Sequence, residues 1–430
     1  MKPSEDEMGV DGERMNRVLV LDAHRNHSLD FARSMSRKGV GVTAGCRSRL
    51  GPAMLSRYVD GRYVHPDYSE DPEAFVDHLV RFLRDNPHAA VVPMADRSHT
   101  ILSRHKDRIS ETGTAVGVED WDRFTTANNK KTLVELARAR SVPVPDTRAP
   151  ESIADVREFS DDLSYPVLIK PRFTTVRDSN GTYREARISD ENYVRSPSEL
   201  VPTFRSFVER DGCFRRHPPI VQEVIPGTTV ATGALAEDGE ILASFQETRV
   251  RTYPIEGGVG AVREGIHEPD MLAYSEEIVD ALGWTGPVYV EFMLTPDGEF
   301  FLIEVNGRYW GSLGLAVNSG VDFPWYHYQQ LRGIDVEYDS SYRIGVRQRR
   351  LFYTDIKWLL AKLSRGEVSA LVPFAAAFLT MNDDVLSLND PLPPVGSVLW
   401  AGKRIVEKAT HSSPSIHRES VDTSVSEISQ

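Results

Sequence analysis

One stretch constrains this chain more than any other: Glu291-Phe-Met-Leu-Thr-Pro-Asp-Gly-Glu-Phe-Phe-Leu-Ile-Glu304-Val-Asn306-Gly-Arg308. It reads as two apolar strands joined by a turn at Pro296-Asp297-Gly298. The run from Phe300 to Val305 is apolar enough for a core strand. Yet it ends in Glu304, Asn306 and Arg308, which at i, i+2 and i+4 share one face. Antiparallel pairing carries Glu291 to the same end. Two carboxylates and an amide oxygen gathered there make an all-oxygen site of the kind Mg²⁺ prefers, with Mn²⁺ as the alternative. Arg308 is placed to meet phosphate. The combination points to a nucleotide triphosphate.

Composition sets outer bounds. The 430 residues suffice for two or three domains. A net charge of −13 argues against nonspecific binding of nucleic acid or anionic membrane. Cys46 and Cys213 lie far apart, outside any zinc-like cluster, so a reducing, cytoplasmic setting is expected. The acidic, polar N-terminus has no signal-peptide pattern. The apolar run Val368 to Met381 is too short to span a bilayer and contains Pro373. A buried helix or helix pair is expected there, with an interfacial membrane helix as the alternative.

Along the chain, strand patterns at Val18–Asp22, Val40–Ala44, Gly61–Val64 and Ala89–Pro93 alternate with helical ones at Ser28–Lys38 and Pro72–Arg84. That alternation predicts a doubly wound parallel sheet, with ligands beyond the strands' C-terminal ends. Asp22 to His24 and Met94 to Asp96 occupy two such tips. A helix is expected over Lys130–Arg140, capped by Asn128-Asn129, then strands at Tyr165–Pro171, Ile220–Ile225, Ala231–Ala236 and Glu240–Phe245. Between them runs a polar loop, Arg172 to Glu185. An Arg/Gly-rich loop, Arg249 to Gly260, and a helix, Asp270–Leu282, lead to the hairpin described first.

The ordered set Lys130 before a helix, Ile-Lys170-Pro on a strand, Gln-Glu223-Val-Ile-Pro-Gly and Ile-Glu304-Val-Asn-Gly-Arg308 resembles the ATP-grasp superfamily. The last motif is most similar to biotin carboxylase and the carbamoyl-phosphate synthase large subunit, and the overall texture to carboxylate–amine ligases and carbamoyl-phosphate-synthase-like proteins. The resemblance covers about Arg17 to Gly333. It implies an α/β and α+β chain: a pre-ATP-grasp domain (17–118), a two-lobed ATP-grasp domain (119–340, hinge near 222–227) and a C-terminal extension (341–411). A disordered leader (1–16) and tail (412–430) are expected at either end. It also implies that Lys130 and Lys170 bind ATP phosphates, and that Gln222, Glu223, Val224 and Ile225 hold the adenine edge, largely through backbone. Glu291, Glu304 and Asn306 would ligate magnesium, and Arg308 would stabilise an acyl-phosphate.

Two departures stand out. Family members carry a glycine-rich lid after the second lysine; here Arg172 to Glu185 has only Asn180-Gly181, with Arg172, Arg177 and Arg184 nearby. Where many members place an acid for the ribose, this chain has Thr228, Thr229 and Val230. Arg249, Arg251 and Arg263 either belong to a mobile charged loop or clamp a substrate carboxylate or the γ-phosphate. Asp96 is either a polar sheet tip or a partner for a substrate amine. The basic run Arg343 to Arg350 is expected on a strand or helix face paired with acids.

The expected activity is therefore an ATP- and Mg²⁺-dependent ligase joining a small-molecule carboxylate to an amine. Alternatives are bicarbonate activation, or ATP binding without turnover in a regulatory protein. No nucleic-acid partner and no membrane span are expected; a homodimer is compatible with the chain.

Overall fold

Strands covered by helices on both faces are apolar, and the inner N-terminal strands follow that rule, with Val18–Val20 and Ala90–Val92 buried. In the computed structural model, Gly61–Val64, Gly41–Cys46, Arg17–Val20, Ala90–Val92 and Ala115–Val116 lie in that order in one parallel sheet. Helices Asn26–Arg37 and Pro72–Asp85 connect them. The described residues are 16–411 apart from 178–180, 187, 211 and 256, so the expected leader (save Asn16) and tail lie outside them. At the sheet's C-terminal edge, the buried Asp22 carboxylate accepts from Met94 N (3.0 Å), Ser98 Oγ (2.5 Å) and Tyr68 Oη (2.6 Å). It thereby pins the loop that carries Asp96.

A smaller antiparallel sheet follows, ordered Tyr193–Val194, Val167–Lys170, Ile220–Glu223, Thr147–Arg148. Ile169, Val221, Leu200 and Phe204 form part of its core under helix Pro197–Arg210. The largest sheet has seven strands: Phe300–Asn306, Gly286–Leu294, Thr228–Glu237, Glu240–Tyr253, Val259–Ile266, Arg347–Arg349 and Asn382–Asp383. Helix Pro269–Leu282 packs Ile278 and Val279 with Val230, Val288 and Val290 of that sheet. Within the basic run Arg343 to Arg350, Arg347–Arg349 is thus a strand of this sheet, with Arg347 paired to Glu264 and the following Arg350 to Asp384.

Three sequence expectations change. The Arg249–Gly260 loop is mostly strand: Glu240–Tyr253 runs on past Arg251, and Val259 begins its partner. The polar loop after Lys170 contains a hairpin, Thr175–Arg177 against Tyr183–Glu185. The apolar run forms helix Leu371–Thr380, but at the surface: Ala377 is buried while Leu379 is 91% exposed. The core beneath it is small, formed by Ala261, Trp358 and Ala370, which leaves no second layer to cover the helix. Among the described residues no helix is long and apolar enough to cross a membrane.

Candidate functional site

The geometry of the acidic cluster begins with strand register. Glu291 pairs with Glu304, and Tyr289 with Asn306, but a bulge shifts the next pair to Phe292 with Leu302. Phe292 and Leu302 both enter the core. By skipping Ile303 the bulge turns Glu304 to the opposite face from Leu302, so that Glu291, Glu304 and Asn306 share the cleft side. Gly307 is held against the Trp284 ring, where a Cβ would lie 2.2 Å from the nearest ring atom. That close approach fixes the backbone between Asn306 and Arg308.

Each charge in the cluster has a partner. Lys130, at the start of helix Lys130–Ala139, donates to Glu304 Oε1 (3.2 Å), and Thr174 Oγ1 donates to the same oxygen (3.0 Å). Burial pushes the Glu304 carboxyl up, but Lys130, helped by Lys170, holds it below the usual value. Asn306 Nδ2 donates to Glu291 Oε1 (3.1 Å), and Arg249 Nη2 to Glu291 Oε2 (2.6 Å). Arg308 donates to Asn306 Oδ1 (3.1 Å) and forms an ion pair with Asp96, reaching across from the parallel-sheet domain. Burial alone would raise the Asp96 carboxyl; Arg308 brings it down instead.

Lys170 ends its strand buried, donating to Gln222 Oε1 (2.5 Å), while Gln222 Nε2 donates to Thr147 Oγ1 (2.9 Å). Burial and the neighbouring Lys130 charge lower Lys170 to about 8, opposed by Glu304 and Glu291. The Gln222 side chain is therefore spent on orienting Lys170. Where the chain leaves the small sheet, Glu223 N donates to Asp146 O (2.8 Å) and Val224 N to Pro166 O (3.4 Å), and Val224 and Ile225 remain half-buried. Gly227 lets the chain pass Leu294 O, 2.2 Å from where a Cβ would stand.

Of the three arginines singled out as a clamp, Arg249 reaches the cluster and Arg251 does not. Opposite Arg249 stands Arg263, but Arg251 pairs with Val262, so one residue is bulged between them. The bulge reverses the alternation and turns Arg251 away, onto Asp355 (3.3 Å) and the Trp358 ring (4.4 Å). Arg263 is buried and paired with Asp384 (2.6 Å), and it lines the cleft next to Arg249.

This cleft, about 150 Å³, also takes in Glu291, Arg308, Glu247 and Arg350. Arg350 donates to Gly311 O (2.7 Å) and Asp384 (2.8 Å). Among the described residues, Arg263 Nε and Nη1 and Glu247 Oε2 are buried without a hydrogen-bond partner. Arg350, Glu247 and Thr174 escaped the sequence reading. Arg350 sits in a basic run that does not single it out, and the other two stand in strand or loop with no distinguishing neighbour.

Among the described residues no three His, Cys, Asp or Glu side chains form a metal cage. The donor set is two carboxylates and an amide. That set fits magnesium, which takes few protein ligands and completes its shell with phosphate and water oxygens. Lys130, Lys170 and Arg249 supply positive charge around the same carboxylates, as a polyphosphate requires.

A parallel-sheet domain, a small antiparallel lobe and a larger lobe carrying the acidic hairpin recur in known proteins. Over residues 215–351 the chain matches the family model described as ATP-grasp in the biosynthetic pathway with Ter operon. The C-terminal section of the carbamoyl phosphate synthase large chain from Methanopyrus kandleri is 22% identical over 230 residues, 50% of this chain and 36% of that protein. The chain likewise covers 10% of the multifunctional protein pyr-3 from Neurospora crassa and 18% of the carbamoyl phosphate synthase arginine-specific large chain from Halalkalibacterium halodurans, each 22% identical, so it spans well under half the length of these relatives.

The biotin carboxylase domain of Hydrogenobacter thermophilus 2-oxoglutarate carboxylase, in complex with MgADP, ADP and bicarbonate, superimposes with a TM-score of 0.58 at 16% identity. The match covers 77% of this chain and 73% of that one. L-amino acid ligase from Bacillus licheniformis gives 0.54 at 16%, covering 74% of each. The chain has the ATP-grasp fold. Residues 224–227 join the small sheet, where Ile220–Glu223 ends, to the large one, where Thr228–Glu237 begins.

Proposed function

We propose that this ATP-grasp protein is an ATP- and magnesium-dependent ligase that activates a carboxylate as an acyl-phosphate and passes it to an amine, forming a C–N bond. The observation that carries the reading is the single cluster formed by Lys130, Thr174 and Glu304 with Glu291, Asn306, Arg249 and Arg308. Lys130 and Lys170 would bind the triphosphate, and Val224 and Ile225 would flank the adenine. Glu291, Glu304 and Asn306 would hold magnesium, which supplies charge neutralisation to the transferring phosphoryl group. Arg308, fixed by Asp96 and Asn306, would face charge that develops on the phosphoryl oxygens. The unpartnered N–H groups of Arg263 suit the substrate carboxylate, and the unpartnered oxygen of Glu247 suits the amine.

The small cleft between Arg249, Arg263, Arg308 and Arg350 favours a second reading, in which the acid is bicarbonate. The similar fold of a biotin carboxylase domain in complex with MgADP and bicarbonate supports this reading. ADP release measured over a matrix of carboxylates and amines tests both. Release that needs an organic acid and an amine supports the ligase, and release with bicarbonate alone supports the second reading. Failure to bind Mg-ATP would overturn both.

A further inference from the structure

Behind the hairpin that follows Lys170 lies a cavity of about 310 Å³, at the lower end of small-molecule sites. It is separate from the metal cleft. Thr174 turns toward Lys130 and Glu304, whereas Thr175, Val176 and Arg177 line the cavity, so the hairpin's own backbone stands between them. The far wall is helix Trp121–Asn128, and the floor is helix Gly212–Arg216.

Two properties define what it would hold. Trp121, Phe124, Phe173 and Phe214 present rings, which favour a flat apolar body. Arg104, Arg172, Arg177 and Arg216 also line it, and no Asp or Glu does, which favours an anion. Arg172 is 7% exposed, and its Nε has no hydrogen-bond partner among the described residues. Its Nη2 is engaged by Pro150 O (3.1 Å) and Glu151 (3.0 Å). A buried N–H left unpaired costs free energy that a ligand oxygen would recover. The carbonyl of the same residue accepts from Lys130 N (2.9 Å), so an occupant would bear directly on the residue that starts the phosphate-facing helix.

We infer that this cavity is a second ligand site, selective for a small aromatic carboxylate whose ring lies among Trp121, Phe173 and Phe214 and whose carboxylate meets Arg172 and Arg216. The site does not depend on the ligase reading, and its test needs no turnover. Phenylacetate is titrated calorimetrically into the full-length protein, beside acetate and benzyl alcohol. Phenylacetate is expected to saturate one site, with the other two at least about tenfold weaker, since each lacks the ring or the charge.

Thr125→Trp, which fills the cavity, should abolish the heat. Arg216→Ala, a change at an exposed side chain that leaves the fold intact, should weaken binding several-fold. Saturating Mg-ATP should leave the stoichiometry unchanged. The inference is overturned by absence of binding, by equal affinity for acetate, by indifference to both substitutions, or by displacement with Mg-ATP, which would put the probe in the nucleotide cleft.

Discussion

Arg249 and Arg251 stand two residues apart on one strand and act on opposite sides of the large sheet. On the cleft side, Arg249 bonds Glu291 with both side chains partly accessible, at 24% and 19% exposure. On the other side, Arg251 is clamped between Trp358 and an Asp355 that is fully buried. The first pair can be rearranged by an incoming phosphate or carboxylate, because water and ligand can take over its hydrogen bonds. The second resists rearrangement, because opening it leaves buried Asp355 with only Arg349, 4.0 Å away. Identical side chains therefore acquire different roles from burial and strand parity alone.

The largest effect expected on the cleft side is from Glu304→Ala. It removes the carboxylate shared by Lys130 and Thr174, and kcat in an ADP-release assay should fall by roughly 10²–10³. Thermal unfolding should stay near that of the parent, since the side chain fills no core space. Wild-type turnover with normal Mg²⁺ dependence would remove Glu304 from the site.

Arg249→Ala comes next. Loss of a charge-assisted hydrogen bond, worth roughly 1.5–3 kcal/mol, should lower kcat/KM for the carboxylate about 10–100-fold. Its counterpart, Arg251→Ala, should leave kcat/KM within about twofold. Urea unfolding should instead show a loss of roughly 2 kcal/mol, because buried Asp355 loses its hydrogen-bonded cation and keeps only Arg349, 4.0 Å away. Reversal of that pattern, with Arg251 affecting substrate and Arg249 affecting stability, would break the comparison.

The smallest effect concerns pH. With Lys170 lowered to about 8, the free protein carries its charge below that pH and loses it above. Affinity for Mg-ATP measured by calorimetry should therefore weaken as pH rises through about 8, with proton uptake on binding above it. Lys170→Arg, charged throughout, should flatten the profile. An unchanged slope in that variant would assign the titration elsewhere.

The acidic hairpin was legible in the sequence because its signals are local: a Pro-Asp-Gly turn, apolar strands and polar residues closing one of them. The parallel sheet was legible for the same reason, from alternating periodicities and glycine after a helix. Arg249 to Gly260 was read as a loop from its glycines and charges, and nothing in Arg249-Val250-Arg251 announces a strand whose bulge sends Arg251 to the other face. The surface helix Leu371–Thr380 was misread because its composition demands burial, while the extension offers it only a small core.

What the sequence determined by itself was the order of elements and the chemical kind of each candidate group: two lysines, two carboxylates, an amide and an arginine. The tertiary structure alone decided which of them meet. Asp96 reaches Arg308 across 212 positions of chain, Lys130 reaches Glu304 across 174, and Arg350 enters the cleft from the extension. Contacts at such separation depend on how whole sheets pack and where a single bulge falls. Local periodicity carries no record of either.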